Sequence, residues 1–363
     1  MLSAKFLTAS EFGLLSILRS TAGMLESLFT GVNSGVIIDE VSKNKKVTAN
    51  LLSLLLFYLV VILIILSLIP LLKVNISITS LFLLTFGVTL STTINLVLIG
   101  LSYYSEQKKL TVVSSVLSLI ISFVLVKMYG LQGAINAFIL LAFTDFIIKV
   151  LFLAQKKVIF TSIHLEPTLI KRSFKYIIII APQIILFWWL KVSLSNSALE
   201  DLGRFEFLYQ FVTLITLMTG TVSSVAIGRF STAEKNIVLK QSLVINFLIC
   251  IILVSLSLSY GNNLILLVNK EYDVSERMLL FFIMLLVVFP LSFASLISKF
   301  FLANSKDSYN LLASISAVLS TLALIVFLTE VNIFTIAYSY IGYHTVNFLI
   351  LLFLLIRFQK ANE

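Results

Sequence analysis

The sequence predicts an all-α protein that crosses a membrane many times, and three observations lead to that prediction. Hydrophobic residues make up 59% of the 363 residues, charged residues make up only 12%, and the mean hydropathy is +1.09. A soluble domain keeps about a quarter of its residues charged, and a disordered chain is poor in aromatic and branched aliphatic residues, so both classes are excluded. The apolar runs are long and unbroken, whereas a transmembrane β-barrel has short alternating segments. The spans must be helices, because backbone groups in hydrocarbon have to be hydrogen-bonded within their own segment.

Runs of about twenty apolar residues can cross a hydrocarbon layer about 30 Å thick. Eleven such runs are predicted, at 12–38, 51–72, 78–101, 111–128, 131–153, 174–190, 203–227, 243–260, 278–302, 311–328 and 332–358. Arg19 and Glu26 interrupt the first run, which is also rich in small polar residues. This run is therefore either a membrane span or a helix packed inside a bundle.

Basic residues predict which loops face the cytoplasm, because short cytoplasmic loops collect lysine and arginine. One set of alternating loops, together with the carboxyl terminus, carries seventeen basic residues, whereas the other set and Lys5 carry seven. We therefore expect the first set, which includes the segment from Lys156 to Lys175, in the cytoplasm and the amino terminus outside. Topology thus accounts for the net charge of +9, and no nucleic-acid partner is expected.

An internal repeat divides the chain into two halves. The segment from Phe82 resembles the segment from Phe281, about 200 residues later, and each is followed by a span, a short turn (Tyr129-Gly130 in the first half) and another span. The span at 174–190 has no counterpart before residue 12. We therefore expect two parallel repeats of 5 + 6 spans, with the first helix of a 6 + 6 arrangement missing. Three segments are expected: an amino-terminal lobe at 1–155, a cytoplasmic loop at 156–172 and a carboxy-terminal lobe at 173–363.

Three stretches together resemble one family. They are FLTASEFGLLSILRSTAGMLESLFTGVNSGVIIDEVSKNK, MYGLQGAINAFILLAFTDFIIKVLFL and LEPTLIKRSFKYIIIIAPQIILFWWLKVSLSNSALEDLGRFEFLYQFVTLI. They are similar to the second-helix region, a glycine-alanine helix and the mid-chain restart of the bacterial polysaccharide-unit (O-antigen, Wzx-type) flippases. Those flippases belong to a superfamily of exporters that also contains multidrug extruders and lipid-linked peptidoglycan flippases. The resemblance covers essentially the whole chain.

The resemblance implies that the chain flips a polyprenyl-diphosphate-linked oligosaccharide across the bacterial inner membrane for surface polysaccharide and lipopolysaccharide synthesis. The expected partners are that lipid-linked substrate, the bilayer, and the polysaccharide polymerase and chain-length enzymes. The alternative among transporters is a cation-coupled multidrug extruder. A polytopic polymerase or glycosyltransferase is disfavoured, because the outward loops are short and the two histidines are isolated. No enzyme activity is therefore expected.

Charged residues inside spans indicate where the transport path lies. Each costs about 2.5 to 3.5 kcal/mol at a helix centre, so each predicts a partner or a wet cavity. Arg19 and Glu26 lie two helical turns apart on one face, and either Arg19 contacts an anionic substrate or the two form a structural ion pair. Asp145 and Lys149 have i,i+4 spacing, so they contribute to transport or neutralise each other. The candidates for the substrate path are Arg19, Glu26, Asp145, Lys149, Gln183 and Lys299.

Two further features concern coupling and movement. Asp145 and His344 lie at nearly matching positions in the two halves and are candidates for a coupling proton, although a single histidine in a span more often has a structural role. Pro182 and Pro290 lie within spans and are either hinges or static kinks. The sequence has no glycine-rich phosphate loop, nucleophile elbow or paired histidines at metal-ligand spacing, so no cofactor, metal or catalytic residue is expected.

Overall fold

The structure, a computed structural model, describes residues 3–31, 37–38, 40–42, 58, 60–62, 77–158, 167–226, 230, 235–272, 278–304, 306–328 and 330–360. Within these residues every regular element is a helix, and ten are α-helices. They are α1 (Ala9–Glu26), α2 (Ile78–Gly100), α3 (Tyr104–Gln155), α4 (Pro167–Ser197), α5 (Leu199–Ala226), α6 (Lys235–Val268), α7 (Met278–Leu286), α8 (Val288–Ala303), α9 (Asp307–Leu328) and α10 (Ile333–Lys360). A π-helical turn, Ser27–Gly31, follows α1.

The chain is a multi-pass membrane protein. Among the described residues, seven helical segments are long and apolar enough to cross a membrane: α2, α3, most of α5, α6, α7 with α8, most of α9, and α10. The predicted all-helical fold is therefore confirmed. The predicted run at 51–72 lies outside the described residues except at 58 and 60–62, and the run at 12–38 is described only in part.

α3 is a helical hairpin of two antiparallel arms. Its 52 residues would extend about 78 Å as one straight helix, which is far more than a bilayer requires. Gly130, with φ 54° and ψ −130°, interrupts the helix, and glycine adopts such a positive φ without steric cost. The Ser114 hydroxyl consequently reaches the Asp145 carboxylate, 31 residues later, at 2.6 Å. The predicted turn at Tyr129-Gly130 is confirmed, with arms at 104–129 and 131–155.

Contacts group the described residues into two compact units. Residues 14–188 form one unit, here called the amino-terminal bundle, whereas 3–13 and 189–360 belong to the other, the carboxy-terminal bundle. α1 and α4 each contribute residues to both units. The contact boundary thus falls inside helices, and the predicted lobes at 1–155 and 173–363 stay a prediction.

The repeat is visible within each bundle as the same succession of helices. In the amino-terminal bundle the elements start at 78, 104 and 131, and in the carboxy-terminal bundle they start about 200 residues later, at 278, 307 and 333. A polar contact recurs with them. Gln107 Nε2 donates to Asn95 Oδ1 at 3.3 Å, and Asn310 Nδ2 donates to the carbonyl oxygen of Ser298 at 3.1 Å. Both contacts join the same two repeat-equivalent helices across twelve residues.

α1 and α5 cross with their backbones in close contact inside the carboxy-terminal bundle. A Cβ added at Gly13 would collide with the carbonyl oxygen of Leu199, and one added at Gly203 would collide with that of Ala9. Gly13 and Gly203 are 190 positions apart in the sequence, and so are Ala9 and Leu199. The same glycine-to-carbonyl contact is therefore made twice, by repeat-equivalent residues. Repeat-equivalent helices therefore cross at repeat-equivalent glycines.

The start of α1 is held by its own cap and by the turn after α6. The Thr8 backbone N–H donates to the Glu11 carboxylate at 2.9 Å, and the Glu11 N–H donates to the Thr8 hydroxyl at 3.2 Å, which forms a capping box. The Glu271 carboxylate accepts from the Ala9 N–H at 2.9 Å. Burial raises the pKa of Tyr272, so its hydroxyl stays protonated and donates to carbonyl oxygens just before α1. These contacts fix where α1 begins.

Candidate functional site

The amino-terminal bundle contains a cavity of about 470 Å³ among α1, α2 and the two arms of α3, whose exposed wall is mainly apolar but includes a cluster of polar groups. Apolar side chains, among them Leu84, Val88 and Phe138, form part of its wall. The cavity is lined by both charged and hydroxyl groups, which is unusual inside a membrane-spanning bundle. Its polar lining residues are Arg19, Ser91, Asn95, Thr111, Ser114, Ser115, Ser118, Asp145 and Lys149.

Helical periodicity brings these groups together. On α2, Ser91 and Asn95 are four residues apart, and on the second arm of α3, Asp145 and Lys149 have the same spacing. Residues three or four apart share one helical face. The first arm of α3 follows the same rule with Thr111, Ser114, Ser115 and Ser118. Each helix therefore turns one polar face inward and leaves apolar faces for packing and lipid.

Asp145 is the centre of the site. The Lys149 ammonium contacts both carboxylate oxygens, at 2.5 Å and 2.6 Å. The Ser91 hydroxyl donates to Oδ2 at 2.5 Å, and the Ser114 hydroxyl donates to Oδ1 at 2.6 Å. The Asn95 amide lies 3.5 Å from Oδ2. Charge-assisted hydrogen bonds are stronger than neutral ones, and several of them converge on the carboxylate from different sides, so its orientation is fixed.

The two charges of this pair differ in access. The Lys149 side chain is only 1% exposed, whereas the Asp145 side chain is 14% exposed. A buried ammonium is very costly unless it is paired and hydrogen-bonded, and Asp145 provides that partner. Both residues line the cavity, but the carboxylate is the more exposed of the two groups. A cation that enters the cavity would therefore meet Asp145 first and would have to compete with Lys149 for it.

Arg19 lies on the cavity wall, as does Gly23. The guanidinium carbon of Arg19 is 4.3 Å from the centroid of the Phe138 ring, which is cation–π geometry. A Cβ added at Gly23 would meet open space. Glu26 is not among the residues that line this cavity; its carboxylate accepts a hydrogen bond from the Ser27 hydroxyl at 3.3 Å, and the Thr92 side chain on α2 is nearby. The residues predicted on one face of α1 therefore have different surroundings. Arg19 and Gly23 line the cavity, whereas Glu26 lies beside α2.

The remaining predicted residues do not line this cavity. Gln183 is half-buried on α4, and Lys299 is half-buried on α8. His344 is buried on α10, where its ring meets the edge of the Tyr343 ring with centroids 5.0 Å apart. Asp145 and His344 belong to different bundles. The roles predicted for these residues in the substrate path and in coupling stay predictions.

The two candidate hinge prolines differ in their surroundings. Pro182 lies inside the continuous helix α4. Near Pro290 the helix is interrupted, because α7 ends at Leu286 and α8 begins at Val288. Proline has no N–H to donate to the carbonyl four residues earlier, which here belongs to Leu286. A helix break therefore coincides with Pro290, and its role as a hinge stays a prediction.

The hydroxyl and amide groups around Asp145 were not among the predicted site residues. Hydropathy does not single out Ser91, Asn95 or Ser114, because each is a neutral polar residue within a segment that is apolar on average. The signal that points to them is the recurrence of polar residues at helical spacing, most clearly from Thr111 to Ser118. In the part of the chain that the structure describes, no group of three or more His, Cys, Asp or Glu residues could hold a metal ion.

The sequence matches no protein-family model and no curated protein, but the fold matches solved membrane transporters. An inward-facing multidrug resistance MATE family transporter of the MOP superfamily superposes with a TM-score of 0.70 and 12% identity, over 99% of this chain and 94% of the other. A MOP superfamily transporter from Pyrococcus furiosus gives 0.68 and 13%, over 98% and 88%. A eukaryotic MATE transporter gives 0.59 and 15%, over 96% and 84%. At these identities the likeness establishes that this chain has the MATE-type fold.

Proposed function

We propose that the chain is a secondary transporter that exports amphipathic organic molecules in exchange for a cation, which is the multidrug-extruder alternative considered above. The observation that carries the proposal is Asp145, a carboxylate inside a membrane-spanning bundle that is partly open to the cavity. Ionisable groups placed in this way mark ion and substrate paths in transporters. The MATE-type fold supports the proposal, because its structural neighbours include multidrug resistance transporters.

The cavity suits an amphipathic substrate. Its volume of about 470 Å³ lies within the range of about 300 to 1,000 Å³ that is typical of small-molecule sites. Phe138 and the aliphatic side chains offer an apolar wall, while Asp145 and the serine hydroxyls offer acceptors for a positively charged group. Lys149 balances the charge of the carboxylate, so a positively charged substrate would compete with Lys149 for Asp145.

Flipping of a polyprenyl-diphosphate-linked oligosaccharide is the second candidate, and Arg19 favours it. Its side chain is exposed and lies on the cavity wall, where a guanidinium could bind a diphosphate in bidentate fashion. In this case the bacterial inner membrane is the location, and the polymerase and chain-length enzymes are the partners. Neither candidate assigns a chemical reaction to the chain.

Two variants separate the candidates. The double variant Asp145→Asn/Lys149→Met removes both charges of the pair together, and Arg19→Ala removes only the guanidinium. Both are compared with wild type for ethidium efflux from cells that lack their own drug exporters, and for restored surface polysaccharide in cells that lack a flippase. An extruder loses efflux in the double variant and keeps most of it in Arg19→Ala. Restored polysaccharide that depends on Arg19, without ethidium efflux, would reject the extruder and support the flippase.

A further inference from the structure

We propose that the amino-terminal bundle contains a binding site for a monovalent metal cation, and that the ammonium group of Lys149 fills this site in the native chain. The proposal extends the proposed transport function, because it implies that Na⁺ does not drive export by the wild-type protein. The site itself is inferred from the groups around Asp145 and can be tested without any transport assay.

The oxygens around the ammonium are those that a hard cation requires. Lys149 Nζ lies between the two carboxylate oxygens of Asp145, at 2.5 Å and 2.6 Å. The hydroxyl oxygens of Ser91 and Ser114 each contact one of these carboxylate oxygens. A serine oxygen that donates its proton keeps lone pairs that can face a cation. Carboxylate, hydroxyl and water oxygens together are the usual ligands of hard metal cations.

Lys149 occupies this position because it is covalently attached one helical turn from Asp145. A tethered group has an effective concentration that reaches the millimolar range or higher, independent of the solution. The Lys149 side chain is also only 1% exposed, so a competing ion would reach the pair from the side of Asp145. Free Na⁺ would have to displace the ammonium and leave it buried without a partner, which is strongly unfavourable. The site is therefore closed to metal ions as long as Lys149 is present.

The charge balance favours a monovalent ion over a divalent one. Among the described residues that line the cavity, Asp145 is the one carboxylate, and Arg19 adds a positive charge to the same wall. Divalent cations in proteins usually rely on more than one carboxylate. The negative charge of a single carboxylate is neutralised by one positive charge. In the native chain the Lys149 ammonium provides that charge.

The experiment measures Na⁺ binding to purified protein in detergent, with ²²Na⁺ and with the melting temperature in NaCl against choline chloride. We expect Lys149→Met to bind one Na⁺ per chain, at least tenfold more tightly than wild type, and to gain about 2 °C or more in about 100 mM NaCl. Lys149→Arg keeps a tethered cation and should behave as wild type does. Asp145→Asn/Lys149→Met lacks the carboxylate and should not bind.

Two results would overturn the proposal. One is Na⁺ binding to the wild-type chain that Asp145→Asn/Lys149→Met abolishes, since the native site would then be open. The other is a folded Lys149→Met protein that binds no more Na⁺ than wild type does. If Lys149→Met does not yield folded protein, Lys149→Gln removes the same charge and is judged by the same criteria. The Na⁺-binding assay uses neither an ion gradient nor a transport substrate. A chain that is not an extruder would therefore fail the efflux assay without changing the result of the binding assay.

Discussion

The two bundles make the same helix-to-helix contact with different chemistry. In the amino-terminal bundle, Ser114 on the first arm of α3 donates to the charged Asp145 on the second arm at 2.6 Å. In the carboxy-terminal bundle, Ser314 on α9 contacts the neutral Tyr343 on α10 at 3.3 Å. Because these helices are repeat equivalents, both bundles share the contact. Only the contact in the amino-terminal bundle involves a charged residue, Asp145. We infer that the amino-terminal bundle carries the ion-dependent step.

The carboxy-terminal bundle does contain an ion pair, but its position and surroundings are different. Lys191 Nζ lies 2.7 Å from Glu206 Oε1, and the rings of Tyr209 and Tyr340 approach the same ammonium at 5.5 Å and 6.0 Å. The pair joins the end of α4 to α5, and not the two helices that correspond to the arms of α3. Aromatic rings lie beside this pair, whereas the cavity adjoins Asp145. We therefore expect the Lys191–Glu206 pair to have a structural role.

The largest expected loss of folding stability comes from removing one of the two charges in the Asp145–Lys149 pair. Asp145→Asn leaves the Lys149 ammonium buried without an anionic partner, which costs about 3 to 5 kcal/mol of folding free energy. The melting temperature in detergent should fall sharply. Replacing both residues, in Asp145→Asn/Lys149→Met, removes the buried charge and should restore most of that loss. Single and double variants that melt at the same low temperature would show that the carboxylate has a role beyond pairing.

The next effect compares the equivalent serines directly. Ser114→Ala removes a hydrogen bond to a charged group and should cost about 1.5 to 3 kcal/mol, whereas Ser314→Ala removes a bond between neutral groups and should cost about 0.5 to 1.5 kcal/mol. Ethidium efflux should fall in Ser114→Ala and stay near wild type in Ser314→Ala. Equal losses of efflux in the two variants would remove the functional distinction between the bundles.

A loss of stability equal to or smaller than that of Ser114→Ala is expected at the crossing of α1 and α5. Gly203→Ala would drive a methyl group into the Ala9 carbonyl oxygen, and such overpacking typically costs about 1 to 3 kcal/mol. Gly220, on the same helix, has open space at its Cβ position, so Gly220→Ala should be neutral or stabilise by up to about 1 kcal/mol. Melting temperatures of both variants test this. A lower melting temperature for Gly220→Ala than for Gly203→Ala would contradict the backbone contact.

Much of the fold could be predicted from the sequence, because the requirement to bury apolar runs in a bilayer leaves few alternatives. The turn at Gly130, the repeat and the i,i+4 pairing of Asp145 with Lys149 all follow from local patterns. The polar spacing from Thr111 to Ser118 could have pointed to Ser114, whereas Ser91 is one of several hydroxyl residues on α2 and its spacing does not reveal which of them faces Asp145. The position of Glu26 beside Thr92 could not be predicted for a similar reason, since it depends on how two helices pack.

The most direct test of the central claim is uphill transport by purified protein in liposomes. Inside-out oriented protein should accumulate ethidium when a proton gradient of the exporting direction is imposed, and accumulation should collapse when the gradient is dissipated. The control is the double variant Asp145→Asn/Lys149→Met. It removes both charges of the pair together, so no unpaired charge is left in the bundle. We expect uphill accumulation by wild type and only downhill equilibration by the double variant. Uphill accumulation of equal rate and extent by both proteins would contradict the assignment of coupling to the amino-terminal bundle.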